Sequence, residues 1–306
     1  MVEFVCHIQI VGNLRSIDYH KAEYVADLLV SGYPKRFSKG ASQGFMEFQW
    51  REYKDKLSKL SDGSNVEEKL VLNTMGEAAI FSNGELRWNT ATFSNWAEIE
   101  YLPAIQEAMQ SIDFPDKAFQ AYSQYISNEK YSYVFMEFSH AGKPLGQISF
   151  ELFRELCPKT TQNFVCLCTG EKGAIEEEDS AIINLTYSMS LIHRVVPNGW
   201  IQGGDICGGN GDGGYSIYGR NFADECFAVK HNSKGILGMV NHGRNTNNSQ
   251  FYITLAPAEW MNNRYMAFGR VIEGIDTLEA ISNIKTFNDR PQDQCIVTHC
   301  GILTVQ

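Results

Sequence analysis

The first 60 residues alternate between strand-like and helix-like spacings of apolar side chains. Residues 5–11 form a β-rich run that ends at a glycine. From Ser16 the apolar residues recur every three or four positions as far as Gly32, which predicts an amphipathic helix with Ser16 as its N-cap. The same helical spacing returns over residues 45–60, so a second helix is expected there.

A hairpin and another helix are predicted before residue 110. Short β-like runs stand at residues 70–73, 78–81 and 85–88. The Asn83-Gly84 pair between the last two runs is a strong signal for a two-residue hairpin turn. A helical pattern follows over residues 94–109, and Pro103 is expected to split it because proline interrupts the backbone hydrogen bonds of a helix.

The resulting order of elements, β-α-α-β-β-α, resembles a small thioredoxin- or glutaredoxin-like α/β domain in residues 1–110. Residues 111–130, with Pro115 and many polar side chains, are predicted to form a helical connector to a second domain at 131–306. A redox-active member would carry a cysteine pair before its first helix, whereas residues 11–15 contain no cysteine. We therefore expect a redox-inactive domain with a structural or interaction role.

Composition narrows the class of protein. Hydrophobic residues make up 43% of the 306 residues, enough for two buried cores, and the formal net charge of −10 argues against nucleic-acid binding. No apolar run reaches membrane-spanning length and no secretion signal is recognised, so a cytoplasmic protein without a membrane segment is expected. The eight cysteines form no C-x-x-C pair, which favours reduced thiols and no metal or cofactor.

The second half carries a series of specific sequence words. Two β runs around a Gly/Pro turn predict a hairpin, and Pro158 fits the first turn of a helix because its φ angle is fixed. The words are VFMEF at 134–138, GKPLG at 142–146, CPKTTQNF at 157–164, TGEKG at 169–173, HRVVP at 193–197, IQGGD at 201–205, GGYSIYG at 213–219, GILGM at 235–239, NTNNSQFYIT at 245–254, EWM at 259–261 and AFGRV at 267–271.

In this order the words resemble the cyclophilin family of peptidyl-prolyl cis–trans isomerases. The resemblance implies an eight-stranded antiparallel β-barrel with two capping helices over residues 131–306, a groove for an X-Pro dipeptide, and no metal or cofactor. The phrase NGWIQGGDI at 198–206 and the leading α/β domain resemble one subgroup, the peptidyl-prolyl isomerase-like proteins of the sixth type. That subgroup is associated with motile cilia and with doubtful isomerase activity, so the ciliary axoneme and its radial spokes join the cytoplasm as expected locations.

Isomerisation requires stabilisation of a twisted peptide bond. The barrier is about 18–20 kcal/mol, because the C–N bond has partial double-bond character. A guanidinium that donates to the pyramidal proline nitrogen would stabilise the twisted state more than either planar one. The resemblance gives that role to Arg194, in the His-Arg-x-x-Pro word. It gives substrate-binding roles to Gln202, Asn241, Gln250, Phe251, Tyr252, Trp260 and Met261.

The proline pocket departs from the family pattern at its first wall. Counting eight residues from Arg194 to Gln202 places the family's pocket phenylalanine at Gly199 and its pocket methionine at Trp200. We expect Trp200 to lean into the vacated space and to contact the substrate. Loss of one aromatic wall costs on the order of 1–3 kcal/mol of ligand packing, so weakened activity is expected.

Further changes surround Asn241. Val240 and His242 stand where the family usually has alanines, and both are expected to narrow the groove beyond the proline. Tyr252 replaces a phenylalanine, and Tyr265, also assigned to substrate binding, replaces the groove histidine.

Two functions remain open at this stage. The chain is a weakened isomerase of X-Pro bonds, or it is a non-enzymatic subunit that binds proline-containing protein segments in a larger assembly. A third function, redox catalysis, is disfavoured by the missing cysteines.

Ciliary or cytoskeletal partners are expected at the N-terminal domain and at an acidic run that is either a solvated loop or a docking loop: Glu176, Glu177, Glu178 and Asp179.

Overall fold

The computed structural model describes residues 5–60, 66–176 and 182–304. The chain divides into two compact units, residues 1–125 and 126–306. This division falls inside the stretch 111–130, which the sequence predicted to be a connector.

The first unit contains a five-stranded mixed sheet. Its elements are β1 (Cys6–Asn13), α1 (Ile17–Gly32), β2 (Phe37–Lys39), β3 (Gln43–Phe45), α2 (Glu47–Leu60), α3 (Val66–Thr74), β4 (Ala78–Ser82), β5 (Glu85–Trp88), α4 (Thr90–Glu100), α5 (Ile105–Gln110) and α6 (Phe114–Ile126). Strand β1 pairs in parallel with β2 and β3 and antiparallel with β4, which forms a hairpin with β5. The predicted α/β character of this unit is confirmed.

Local sequence signals account for most of these elements. Helix α1 begins after Ser16, whose side chain accepts a hydrogen bond from the backbone N–H of Asp18. The β4–β5 turn has Asn83 at φ 51° and Gly84 at φ 86°, the left-handed pair that a type I′ hairpin turn requires. The apolar face of α1 packs in one core with the strands β1 and β4 and with the aromatic side chains of α4.

Two local features of this unit differ from the sequence-based expectation. Residues 70–73 lie in α3, because a short run of three apolar residues does not distinguish a strand from a helix. The three-residue strands β2 and β3 were not predicted, since pairing with β1 rather than their own pattern defines them. The stretch 111–130, predicted as a helical connector, holds helix α6, which buries Phe114 and Tyr122, and Phe114 meets Tyr24 edge-on.

The second unit is a closed barrel of eight strands capped by two helices. Its elements are β6 (Ser132–His140), β7 (Lys143–Leu152), α7 (Pro158–Thr169), β8 (Ala174–Glu176), β9 (Ile182–Asn184), β10 (Leu191–Val196), β11 (Trp200–Asp205), β12 (Ile236–Met239), β13 (Phe251–Thr254), β14 (Ala267–Glu273), α8 (Ile275–Ser282), β15 (Thr286–Phe287), β16 (Arg290–Pro291) and β17 (Cys295–Ile302). The barrel order is β10-β11-β13-β12-β14-β7-β6-β17, and every neighbouring pair is antiparallel. The predicted barrel architecture is confirmed.

An aromatic core fills the space between α7 and the barrel strands. The ring of Phe164 on α7 lies within 5.0–5.6 Å, centroid to centroid, of the rings of Tyr187, Phe251 and Phe268. Pro158 occupies the first turn of this helix, as expected, and Gly170 ends it in the left-handed conformation. Edge-to-face contacts of this kind stabilise by about 0.5–1.5 kcal/mol each beyond the area they bury.

The acidic run is described only at its first residue. Glu176 ends β8, which pairs with β9. Glu177, Glu178 and Asp179 lie outside the described residues, so the docking-loop hypothesis stays a prediction. In the three described ranges, no helix combines the length and the apolar character needed to cross a membrane.

The entry to α8 yields a stability prediction. Gly274 has φ 90°, and a Cβ atom there would overlap the carbonyl oxygen of Gln147. We expect Gly274→Ala to lower the unfolding free energy of the barrel unit by about 2–4 kcal/mol, through backbone strain and steric overlap together. Gly142→Ala is the matched control, because Gly142 has φ 76° but open space at its Cβ position, and about 1 kcal/mol is expected. Equal losses in calorimetry would contradict the steric argument.

Candidate functional site

Arg194 lies on β10, at the outer face of the β10–β11 hairpin. Its cross-strand neighbour is Gln202, so both side chains stand on the same face of the barrel wall. The guanidinium makes an ion pair with Asp289, with 3.1 Å between Nη2 and Oδ2, and its central carbon lies 5.2 Å from the centre of the Trp200 ring. The Arg194 side chain is 45% exposed, so solvent and ligands reach it.

Gln202 connects the face of the barrel that carries Arg194 to a buried network of side-chain amides. Its Nε2 donates to Oε1 of Gln250 at 2.9 Å, and its Oε1 accepts from the indole N–H of Trp200 at 3.4 Å. Gln250, which is almost fully buried, donates onward to the carbonyl oxygens of Gly211 and Gly213. Within the described residues Gln202 has no hydrogen bond to Arg194, so it orients the tryptophan ring on which the guanidinium rests rather than the guanidinium itself.

The loop that receives Gln250 is held by a single buried carboxylate. Asp205 accepts backbone N–H groups from Cys207, Gly208, Gly211 and Gly213. Burial alone would raise the pKa of Asp205, but these four donors hold it below its ordinary value. The loop is therefore fixed around an ionised carboxylate, and it in turn fixes the amides of Gln250 and Gln202.

A hydrophobic cluster lies next to Arg194. Tyr252 and Met261 are buried in it together with Ala258, and Trp200, Val240 and Tyr265 pack against them. The ring of Trp200 is 5.8 Å from that of Trp260, whose side chain is 53% exposed and also meets Tyr265 edge-on. The cluster is thus an apolar surface with an aromatic rim beside a cation, which suits a proline ring next to a polarised peptide bond.

Gly199 lies in the turn that joins β10 to β11. Asn198 has φ 55°, and a Cβ atom at Gly199 would come within 3.0 Å of Cγ1 of Val196. Trp200, the next residue, begins β11 and packs against the Tyr252 cluster. An indole therefore supplies aromatic surface beside the position that carries no side chain.

Tyr252 is held by a residue that the sequence analysis did not select. Its hydroxyl donates to Nε2 of His231 at 2.5 Å. Nδ1 of His231 donates to Oδ1 of Asn262, an atom that also accepts the backbone N–H of His231 and is therefore the oxygen. Burial keeps the pKa of His231 below its ordinary value, although the bond to Asn262 acts in the opposite direction. A neutral imidazole thus satisfies the buried tyrosine hydroxyl.

The remaining predicted residues differ in their exposure. The Nδ2 of Asn241 donates to the carbonyl oxygen of Arg264 at 2.9 Å, which ties its loop to the segment before Tyr265, while His242 is exposed. Phe251 is a correction, since its side chain is fully buried and packs on Phe164. Successive residues of a strand point to opposite faces, so Tyr252 faces the cluster and Phe251 faces the core.

Asp289 is the other residue that the sequence analysis missed. It lies 95 residues after Arg194 in no recognisable word, so only the fold brings the two together. In the described parts of the chain, no three His, Cys, Asp or Glu side chains gather in a group that could hold a metal ion.

Comparison with known proteins gives a consistent result. The family model "Cyclophilin type peptidyl-prolyl cis-trans isomerase/CLD" matches residues 134–302. The chain is 37% identical over 302 residues to "Probable inactive peptidyl-prolyl cis-trans isomerase-like 6" of Bos taurus, covering 97% of this chain and 92% of that protein. The Homo sapiens protein of the same description is 34% identical over 300 residues, covering 96% and 91%. The "NK-tumor recognition protein" of Homo sapiens is 46% identical over 165 residues, 54% of this chain and 11% of that protein.

Two buried histidines, His193 and His231, should make the barrel unit less stable in mild acid. Burial lowers the pKa of both His193 and His231 below the ordinary 6.5, so each takes up a proton more readily when the barrel unit unfolds. Their contribution to stability is complete above pH 6.5 and is lost as the pH falls through 6.5 toward the lowered values. We expect the barrel transition in calorimetry to move to lower temperature over that window.

A substitution pair checks the origin of this slope. His231→Gln should flatten the dependence of the transition temperature on pH, whereas His242→Gln, at an exposed histidine, should leave it unchanged. Equal slopes in both variants would refute the assignment to His231.

Proposed function

The chain belongs to the cyclophilin-type peptidyl-prolyl cis–trans isomerase family, and from that premise we propose that it is a weak isomerase of X-Pro bonds in proteins. The observation that carries the proposal is the placement of the Arg194 guanidinium against Trp200, at the edge of the apolar cluster around Tyr252. A proline ring on that cluster would present its nitrogen toward the guanidinium.

The proposed chemistry needs no nucleophile or general base. As the peptide bond twists, conjugation is lost and the proline nitrogen becomes a better hydrogen-bond acceptor. An N–H of Arg194 that donates to this nitrogen would stabilise the twisted state more than the planar states. The Trp200 ring and the buried amide network behind Gln202 limit the motion of the guanidinium, which favours a preorganised donor.

Reduced rather than full activity follows from the pocket walls. Gly199 carries no side chain, and Val240 and Tyr265 crowd the same cluster from other sides. A poorly packed proline ring would lose binding energy on the order of 1–3 kcal/mol, and each 1.36 kcal/mol that is missing in the transition state slows the reaction tenfold.

A second candidate function is supported by the relatives. The full-length matches are described as probable inactive isomerase-like proteins, and the exposed Trp260 rim suits binding without turnover. In this alternative the barrel binds a proline-containing segment of a partner protein as a structural subunit. The ciliary or axonemal setting and the docking of partners on the N-terminal unit remain part of this proposal, and they depend on the subgroup resemblance alone.

Replacement of Arg194 tests the enzymatic proposal. We expect the full chain to accelerate cis–trans isomerisation of a proline tetrapeptide, and Arg194→Ala to lower kcat/KM by at least tenfold because the donor is removed. Arg194→Lys should remain impaired, since an ammonium does not reproduce the planar fork. Arg220→Ala, at an exposed arginine of the same unit, should match the parent chain. Uncatalysed rates in all four proteins would disprove the enzymatic proposal and leave the binding function.

Replacement of Trp200 tests peptide binding in either function. We expect Trp200→Ala to weaken the binding of a proline tetrapeptide on the order of tenfold, because one wall of the apolar cluster is lost. Isothermal titration calorimetry measures the change, with Ile302→Ala at an exposed position of β17 as the control. An unchanged Kd in Trp200→Ala would place the peptide elsewhere on the chain.

A further inference from the structure

The turn that carries Asp289 has no glycine at its two central positions. Strands β15 and β16 pair through Phe287 and Arg290, so Asn288 and Asp289 form a two-residue turn, with φ angles of 49° and 62°. Type I′ turns of this kind favour glycine, above all at the second position. Asparagine and aspartate tolerate this conformation better than other residues that carry a side chain, so Asn288 suits the turn, whereas Asp289 stands where glycine is favoured most.

The turn that carries Asp289 is anchored on both sides by hydrogen bonds. The carbonyl oxygen of Asp289 accepts the N–H of Val195 at 2.7 Å, on the strand that carries Arg194. Arg290 donates from Nη2 to the carbonyl oxygen of Asn210 at 2.7 Å, which ties the other side of the turn to the loop around Asp205. Neither contact uses the Asp289 side chain, so the hairpin keeps its anchors whatever residue stands there.

This anchored carboxylate occupies the guanidinium on which the proposed isomerisation depends. A carboxylate carries a full negative charge and matches the planar fork of a guanidinium, whereas the proline nitrogen and the peptide carbonyl are neutral acceptors. In the free protein, Arg194 therefore lies between the Asp289 carboxylate and the Trp200 ring. A substrate that accepts from Nη2 must compete with Asp289, whose carboxylate accepts from that nitrogen at 3.1 Å.

We propose that Asp289 is a positioning residue that withholds Arg194 from bound peptide, so that this ion pair sets the activity of the site. The proposal rests on the function proposed above. It identifies a cause of weak activity separate from the missing side chain at Gly199: the donor is present, but a carboxylate of the same chain neutralises and retains it.

Removal of the carboxylate should raise activity rather than lower it. Exposed ion pairs contribute up to about 1 kcal/mol, so we expect Asp289→Asn to raise kcat/KM for a neutral proline tetrapeptide by roughly two- to fivefold. Asp289→Gly should give a similar rise together with a higher transition temperature, because glycine relieves the left-handed strain. Asp293→Asn removes the same charge from an exposed position four residues away and should leave kcat/KM unchanged.

Salt dependence and a double-mutant cycle separate this role from a merely structural one. Added salt screens an exposed ion pair, and about 0.5 M salt shortens the Debye length to a few ångströms. The kcat/KM of the parent chain should therefore rise between low salt and about 0.5 M salt, whereas that of Asp289→Asn should not. In an Arg194→Ala background, Asp289→Asn should have no effect on kcat/KM. A rise that persists without Arg194, or a fall in the Asp289→Asn single variant, would overturn the proposal.

Peptide affinity keeps the proposal testable if no isomerisation is detected. Arg194 freed from Asp289 can donate to a peptide carbonyl, so Asp289→Asn should bind the same tetrapeptide two- to fivefold more tightly at low salt, and the difference should vanish at high salt. Uncatalysed rates with this tighter binding would refute only the enzymatic function. Equal affinities of the parent chain and Asp289→Asn, without a rise in kcat/KM, would refute the role of Asp289.

Discussion

The register of the β10–β11 hairpin is the constraint on which the candidate site depends. Val195 pairs with Ile201, and both side chains are fully buried in the barrel. Alternation along the strands then places Arg194 opposite Gln202 on the other face. A slip of one residue would turn the guanidinium into the core and two apolar side chains into water, so burial of the barrel interior enforces the geometry of the site.

The site is organised from the buried side outward. Asp205 fixes a loop with four backbone N–H groups, the loop carbonyls fix Gln250, and Gln250 fixes Gln202, which accepts from the Trp200 indole. Each contact uses a polar group that would otherwise be unsatisfied near the core, so the network is costly to disturb. The exposed guanidinium of Arg194 thereby rests on the Trp200 ring, and the position of that ring depends on the buried network that begins at Asp205.

The sequence predicted the fold where a residue type restricts the backbone locally. It failed where contacts between residues distant in the chain determine the structure. Pro158, the Asn83-Gly84 pair and the Ser16 cap each restrict the backbone locally, and the structure has the expected elements there. The run at 70–73 was misread, because so short an apolar run fits a strand and a helix equally well. Resemblance identified Arg194 but could not identify Asp289, because a turn residue 95 positions away meets it only through barrel closure.

The candidate site therefore combines two kinds of feature, one that would act on binding of the proline ring and one that would act on the twisted state. Gly199 and the crowding residues Val240 and Tyr265 alter the apolar surface on which a proline ring would rest, so they affect binding of planar and twisted peptide alike. The Asp289 carboxylate instead opposes the donor itself, and the donor matters most when the nitrogen is pyramidal. Loss of uniform binding raises KM, whereas loss of a contact made only in the twisted state lowers kcat. A site can therefore retain affinity for proline segments while its rate of isomerisation is reduced, and the separation of kcat from KM distinguishes a binding subunit from a slow enzyme built on the same barrel.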